Sequence, residues 1–242
     1  KGAQDRVPTG FSVLDERIQG GLGPGETGVI LAPPGHGKTT ALISMASAAL
    51  LRNKKPLYIS LELSQKIIAS KFDTNLFGFT LDVIKKKPKT FQESMQRLRM
   101  ELQGGKLQIA EFPTKSLTLY KMQDLVEKTQ PDVVFLDYAQ ILKPAKAKDE
   151  RRFELTDIHE GLRGVAGQCH VPIWTAHQTN KPALRAREIG IENIAEDFNV
   201  AAIADLVVSL NQSDDEKRQG VIRLFIAKSR LGESGVTFEA RC

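Results

Sequence analysis

The segment Ala32-Pro-Pro-Gly-His-Gly-Lys-Thr39 constrains this chain more than any other stretch of it. It follows the apolar run Gly28-Val-Ile-Leu31 and opens the Ala-rich stretch Thr39 to Leu51, so the reading is strand, glycine loop, helix. Gly35 and Gly37 let the backbone curl until successive N–H groups point inward, and a helix starting near Lys38 directs its positive dipole end at the same point. That is a cradle for a polyphosphate, and ATP is the expected occupant. Pro34, Gly35, His36, Gly37, Lys38, Thr39 and Thr40 are expected to hold it, with Lys38 reaching the β- and γ-phosphates and the Thr39 hydroxyl ligating Mg²⁺. Ala32 stands where such loops usually have their first glycine.

A loop of this kind needs a sheet to carry it. Further apolar runs occur at Pro56–Leu61, Leu107–Ala110, Val133–Leu136, Pro172–Ala176, Asp205–Leu210 and Val221–Ala227. They lack in-and-out alternation, as strands buried on both faces do. Helix-period segments separate most of them: Ser64 to Phe77 with Ser64 as cap, Phe91 to Gln103, Ser116 to Thr129, and Phe153 to Gly167. Strand and helix in alternation predict an α/β fold, a mainly parallel central sheet flanked by helices. Asn211 to Gly220 is polar and turn-like, so the last two strands are expected to form a C-terminal β-hairpin with no helix between them.

Composition narrows the function. With 41% hydrophobic and 26% charged residues in 242, disorder and coiled coil are excluded, and no linker divides the chain, which predicts one domain over residues 1–242. No apolar run approaches the roughly 20 residues that cross a bilayer. The two cysteines, Cys169 and Cys242, build no framework of bridges, so a reduced, cytoplasmic setting is expected. His36, His159 and His170 have no metal-ligand spacing with Cys169 or each other, so no zinc site is expected.

Two carboxylates stand at strand ends. Asp137 closes Val133-Val-Phe-Leu and is the expected magnesium carboxylate, placed where ligands of open α/β sheets collect. Glu62 follows Tyr58-Ile-Ser-Leu61, where in a low dielectric it could deprotonate an attacking water; on spacing alone, an exposed Glu ahead of the Ser64 cap is an equal reading. The net charge of +5 permits an anionic partner. Basic residues gather after Asp137 (Lys143, Lys146, Lys148, Arg151) and after Gln178 (Lys181, Arg185, Arg187), both at the edge that carries the nucleotide motifs. Such loops could track a sugar-phosphate backbone without reading its sequence. Lys85 to Lys89 lies away from the motifs and reads as a solvated turn.

In combination, Pro8–Asp15, Gly25-Glu26, Ala32–Thr39, Ser60-Leu-Glu62, Leu136-Asp-Tyr-Ala-Gln140, His177-Gln178 and Ala227-Lys-Ser-Arg230 resemble the motor domain of DnaB-type replicative helicases over nearly the whole chain. The resemblance implies a RecA-like fold, a homohexameric ring threading single-stranded DNA and unwinding duplex in replication, and nucleotide bound between neighbouring subunits. It makes Glu62 the catalytic base, Asp137 the magnesium carboxylate, Gln178 a sensor of the γ-phosphate, Lys228 and Arg230 a pair reaching the neighbour's nucleotide, and the two basic loops pore loops. It also implies a helicase loader or primase as partner, at a replication fork in the nucleoid or in a host's cytoplasm. The amino-terminal collar domain of the family is expected to be absent from this chain. The glycine-rich opening Gly20–Gly25 is similar instead to RadA- and KaiC-type ATPases, which keeps a recombinase or a nucleotide-gated assembly ATPase as alternatives.

Overall fold

The computed structural model describes residues 5–145, 148–179, 189–190 and 198–241, the side chains of 198–200 excepted. In chain order the elements are α1 (Ser12–Arg17), β1 (Thr27–Ala32), α2 (Lys38–Leu51), β2 (Pro56–Ser60), α3 (Gln65–Phe77), α4 (Leu81–Lys86), α5 (Pro88–Glu101), β3 (Gln108–Glu111), α6 (Leu119–Thr129), β4 (Val133–Asp137), α7 (Arg151–Cys169), β5 (Ile173–Gln178), α8 (Phe198–Ile203), β6 (Leu206–Asn211), α9 (Asp214–Gln219), β7 (Val221–Ser229) and β8 (Thr237–Arg241). They build one sheet in the order β3-β2-β4-β5-β1-β6-β7-β8. The pairs from β3 through β6 are parallel, and β7 and β8 add antiparallel strands at one edge.

The continuous apolar runs are explained by burial on both faces. Tyr58 and Phe135 point to one side, where they meet Leu42 and Met45 of α2 and Phe72 of α3. Their strand neighbours Leu57, Ile59, Val134 and Leu136 point to the other, against Met122 of α6 and Ile158 and Leu162 of α7. At about 25 cal/mol per Å² of apolar surface removed from water, these two layers supply the main drive for folding. Trp174 of β5 lies flat against β1 because residue 28 is glycine; a Cβ there would sit 2.5 Å from its ring carbons.

Several sequence expectations are corrected. The connection from β6 to β7 contains a helix, α9, started by a capping box in which Ser213 accepts from the Glu216 N–H and Glu216 reaches back to the Ser213 N–H. The two strands are nevertheless antiparallel, and β8 extends the hairpin to three strands. Lys85 to Lys89 is not a turn: Lys85 and Lys86 end α4, and α5 begins at Pro88, a residue suited to a first helical position. Ser64 stands at the start of α3 without bonding through its side chain; Glu111 of β3 accepts the Gln65 N–H instead, at 2.6 Å. Helix α7 starts at Arg151, two residues before the expected Phe153, which puts Arg151 and Arg152 in its first turn.

Candidate active site

The loop between β1 and α2 turns through two left-handed glycines, Gly35 at φ 76° and Gly37 at φ 80°. Gly37 caps α2 from the position just ahead of Lys38, and having no side chain it leaves the helix's first N–H groups open to the cleft in front. Lys38 is buried and folds back onto the loop, donating to the Ala32 carbonyl at 3.2 Å and the Pro33 carbonyl at 3.0 Å. Burial holds its pKa below the ordinary lysine value, although Asp137 and Glu62 pull the other way.

Asp137 ends β4 beside Ser60 of β2 and is only 2% exposed. One carboxylate oxygen, Oδ2, accepts from the Thr39 hydroxyl at 2.8 Å and from the Tyr58 hydroxyl at 2.9 Å. Burial raises the Asp137 pKa, and the bonds from Thr39 and Tyr58 oppose that rise. Burial and the neighbouring carboxylate push the Tyr58 phenol up as well, which keeps it a proton donor. An alcohol oxygen and a carboxylate thus converge at the start of a helix, a hard-oxygen donor set of the kind Mg²⁺ prefers. The sequence does not single out Tyr58, which there reads as one more aromatic residue in an apolar strand.

Around this contact lies a cleft of about 360 Å³, lined by Pro34, Gly35 and Gly37 to Thr40 of the loop together with Glu62, Leu63, Asp137, Tyr138 and Gln178. The structure therefore brings Lys38, Thr39, Glu62, Asp137 and Gln178 to one cleft. Glu62 is exposed on the cleft wall, so the low-dielectric surroundings expected for it are absent from this open cleft. Gln178 ends β5 level with Ala32, and its backbone N–H donates to the Gln140 side-chain oxygen at 2.6 Å. Thr175 ties the same two strand ends together, donating to the Leu136 carbonyl at 2.9 Å and accepting from the Ala139 N–H at 3.0 Å. Gln140 and Thr175 are positioning residues that sequence reasoning missed; in the sequence Gln140 is only the end of a five-residue match. His36 faces away from this cleft and lines a second one of about 370 Å³ on the far side of the loop, with Phe11, Ala41, Leu224 and Arg241.

Of the basic residues, Lys143 is exposed just after β4, Lys148 pairs with Asp157 at 2.6 Å, and Arg151 pairs with Glu154 at 2.6 Å. Lys146, Lys181, Arg185 and Arg187 lie outside the described residues. Lys228 and Arg230 are not in the cleft at all. Strand β7 runs antiparallel to β6, and Ser229 pairs with Leu206 at the end where β1 begins. The Arg230 N–H donates to the Asp205 carbonyl, and the Asp205 N–H to the Thr27 carbonyl. The length of β1 therefore separates the pair from the phosphate loop, roughly 15–20 Å at ~3.3 Å per residue. Lys228 donates to the carbonyls of Ala201, Ala202 and Ala204, at and just beyond the end of α8, which engages all three of its donors.

The model of the DnaB-like helicase C-terminal domain matches residues 6–240. A DnaB-like replicative helicase of Enterobacteria phage T4 is 25% identical over 94% of this chain and 50% of its own length. The replicative DNA helicase DnaB of Leifsonia xyli subsp. xyli is 27% identical over 96% of this chain and 53% of its own. This chain thus spans about half the length of the curated relatives it matches. Among solved structures, one ATPase domain superimposes with a TM-score of 0.83 at 21% identity, covering 96% of this chain and 86% of that one. A DnaB-like replicative helicase solved for its interactions with primase gives the same score and identity over 96% of this chain and 58% of its own. The family model covers nearly the whole chain, and the chain belongs to the DnaB-like helicase C-terminal domain family.

Proposed function

We propose that this chain is the motor of an ATP-driven hexameric helicase that translocates along single-stranded DNA and unwinds duplex during replication. The observation that carries the reading is the Thr39–Asp137 contact beneath the open start of α2, with Glu62 and Gln178 on the walls of the same cleft. Phosphates lie along Gly35 to Thr39, and Lys38 leaves the Ala32 and Pro33 carbonyls to meet them. Thr39 and Asp137 would hold Mg²⁺, which would supply positive charge to offset that developing on the transferred phosphoryl group. Glu62 accepts the proton of the attacking water, and Gln178 contacts the terminal phosphate, its strand end held by Gln140. The second cleft, apolar on the side of Phe11, Ala41 and Leu224, suits the flat base of the nucleotide.

Arg230 is too far from its own chain's loop to serve it, which supports action on a neighbouring copy and therefore a ring or filament with nucleotide at each interface. Lys143, Lys148 and Arg151 leave the sheet at the same edge as the cleft, in keeping with repeated cations around a central bore. Membership of the helicase family favours this reading over a recombinase or an assembly ATPase. Among the described residues no helix is long and apolar enough to cross a membrane. A primase or a loader is the expected protein partner.

The test is steady-state ATP hydrolysis with and without single-stranded DNA, together with strand displacement on a forked duplex. DNA-stimulated hydrolysis and displacement of one polarity are expected. Hydrolysis indifferent to DNA, with no displacement, would refute the helicase reading.

A further inference from the structure

Asp205 is 5% exposed and lies immediately before β6, at the sheet edge opposite the phosphate loop. A buried carboxylate is costly unless its oxygens are matched by donors, and here both are. Oδ2 accepts from the Thr27 N–H at 2.9 Å and from the Thr27 hydroxyl at 3.3 Å. Oδ1 accepts from Arg230 at 3.2 Å and forms an ion pair with Arg163 of α7, also at 3.2 Å. Arg163 also donates to the Ile203 carbonyl at 2.5 Å, and Arg230 to the Ala202 carbonyl at 2.8 Å. The carboxylate is thus fixed on one side to the rigid start of β1 and aims its other oxygen at a guanidinium that is still 45% exposed.

The two basic residues at this edge differ. Lys228 is turned inward with all three donors on carbonyls, whereas Arg230 is held by part of its donor fan and faces outward. We propose that Asp205 is a positioning residue for Arg230: anchored by Thr27, it orients the Arg230 guanidinium outward for the neighbouring copy's nucleotide. This rests on the intersubunit role of Arg230 proposed above. An arginine reaching across an interface must order a long side chain each cycle, and a buried carboxylate at its root reduces the freedom that must be lost.

Asparagine separates this role from a structural one. Its single carbonyl oxygen can keep the Thr27 N–H bond, and its NH₂ group then faces Arg163 and Arg230, which only donate. Asp205→Asn made in the intact protein should bind a fluorescent ATP analogue with unchanged affinity and lower kcat about ten- to hundred-fold, less than the ~10³–10⁵ associated with losing the arginine itself. The deciding measurement mixes subunits. Lys38→Ala subunits keep a sound Arg230, and Asp205→Asn subunits keep a sound phosphate loop, so mixed assemblies should hydrolyse faster than the sum of the two alone, as Arg230→Ala mixed with Lys38→Ala also should. If only the Arg230→Ala mixture recovers, Asp205 serves its own chain's sheet and the proposal is overturned. Wild-type kcat in Asp205→Asn overturns it too. If neither mixture recovers although mixed assemblies form, the intersubunit reading of Arg230 fails and the role of Asp205 falls with it.

Discussion

Two buried histidines allow a prediction whose size follows from the structure. His159 of α7 and His177 of β5 are 4% and 3% exposed, with ring centroids 5.7 Å apart. Among the described residues, neither His159 Nε2 nor His177 Nδ1 has a hydrogen-bond partner. Burial lowers the His159 pKa to about 4; His177 is lowered to about 3, by burial first and then by His159 and Lys38. Both values lie below the ~6.5 of an unfolded histidine, so on acidification the unfolded chain takes up protons that the native state refuses. Stability present above about pH 6.5 is therefore lost as pH falls toward 4. Between pH 7.5 and pH 5 each imidazole accounts for about 2 kcal/mol of loss, or about 4 kcal/mol for the pair. Urea unfolding at constant ionic strength measures it, with His159→Gln/His177→Gln as the comparison that removes the titration and leaves every carboxylate in place. The wild type should lose about 4 kcal/mol more than the double variant over this interval, a value set by the two shifts. Equal losses in the two proteins would refute the buried, neutral pair.

Other outcomes follow from the site and the core. Lys38→Ala should abolish hydrolysis while leaving the unfolding midpoint near wild type, since Lys38 bonds only to two loop carbonyls; near-wild-type turnover would show that the loop is not the phosphate site. Glu62→Gln should bind ATP and hydrolyse it ~10²–10⁴-fold more slowly, because an amide keeps the shape and cannot take the proton; parallel loss of binding would assign Glu62 to structure. Gly28→Ala should cost about 1–3 kcal/mol as the new methyl meets the ring of Trp174, read by the fluorescence of the chain's one tryptophan during unfolding. Affinity for single-stranded DNA should fall steeply with salt, with a log–log slope of about −0.7 per phosphate neutralised.

Much of this site is legible in the sequence because its chemistry is local. Gly35, Gly37, Lys38 and Thr39 lie within five residues, and an acid ending an apolar run, as Asp137 does, is visible without knowing its neighbours. The parallel strands are legible for a related reason: burial on both faces keeps β1, β2, β4 and β6 mostly apolar, while β5 carries Thr175, His177 and Gln178 toward the site. What escapes depends on pairing across the fold. Tyr58 and Asp137 are 79 residues apart and meet only because β2 and β4 are neighbours. Gln140 matters through the backbone of Gln178, and Asp205 through Thr27 and two arginines from separate elements. Strand β8 escapes because Thr237-Phe-Glu-Ala-Arg241 mixes charge into a half-exposed edge. Helix α9 escapes because its six residues are all polar, although Ser213 and Glu216 spell its start.

In the proposed assembly each hydrolytic centre is split between two copies, with the loop and Asp137 on one and Arg230 on the other. A cryo-EM reconstruction of the assembled protein with a non-hydrolysable ATP analogue, Mg²⁺ and single-stranded DNA tests it most directly. Phosphates along Gly35 to Thr39, density for a metal beside Thr39 and Asp137, and the Arg230 guanidinium of the adjacent copy at the terminal phosphate are expected. Nucleotide bound away from that loop, or an assembled interface in which Arg230 is remote from every phosphate, would contradict it.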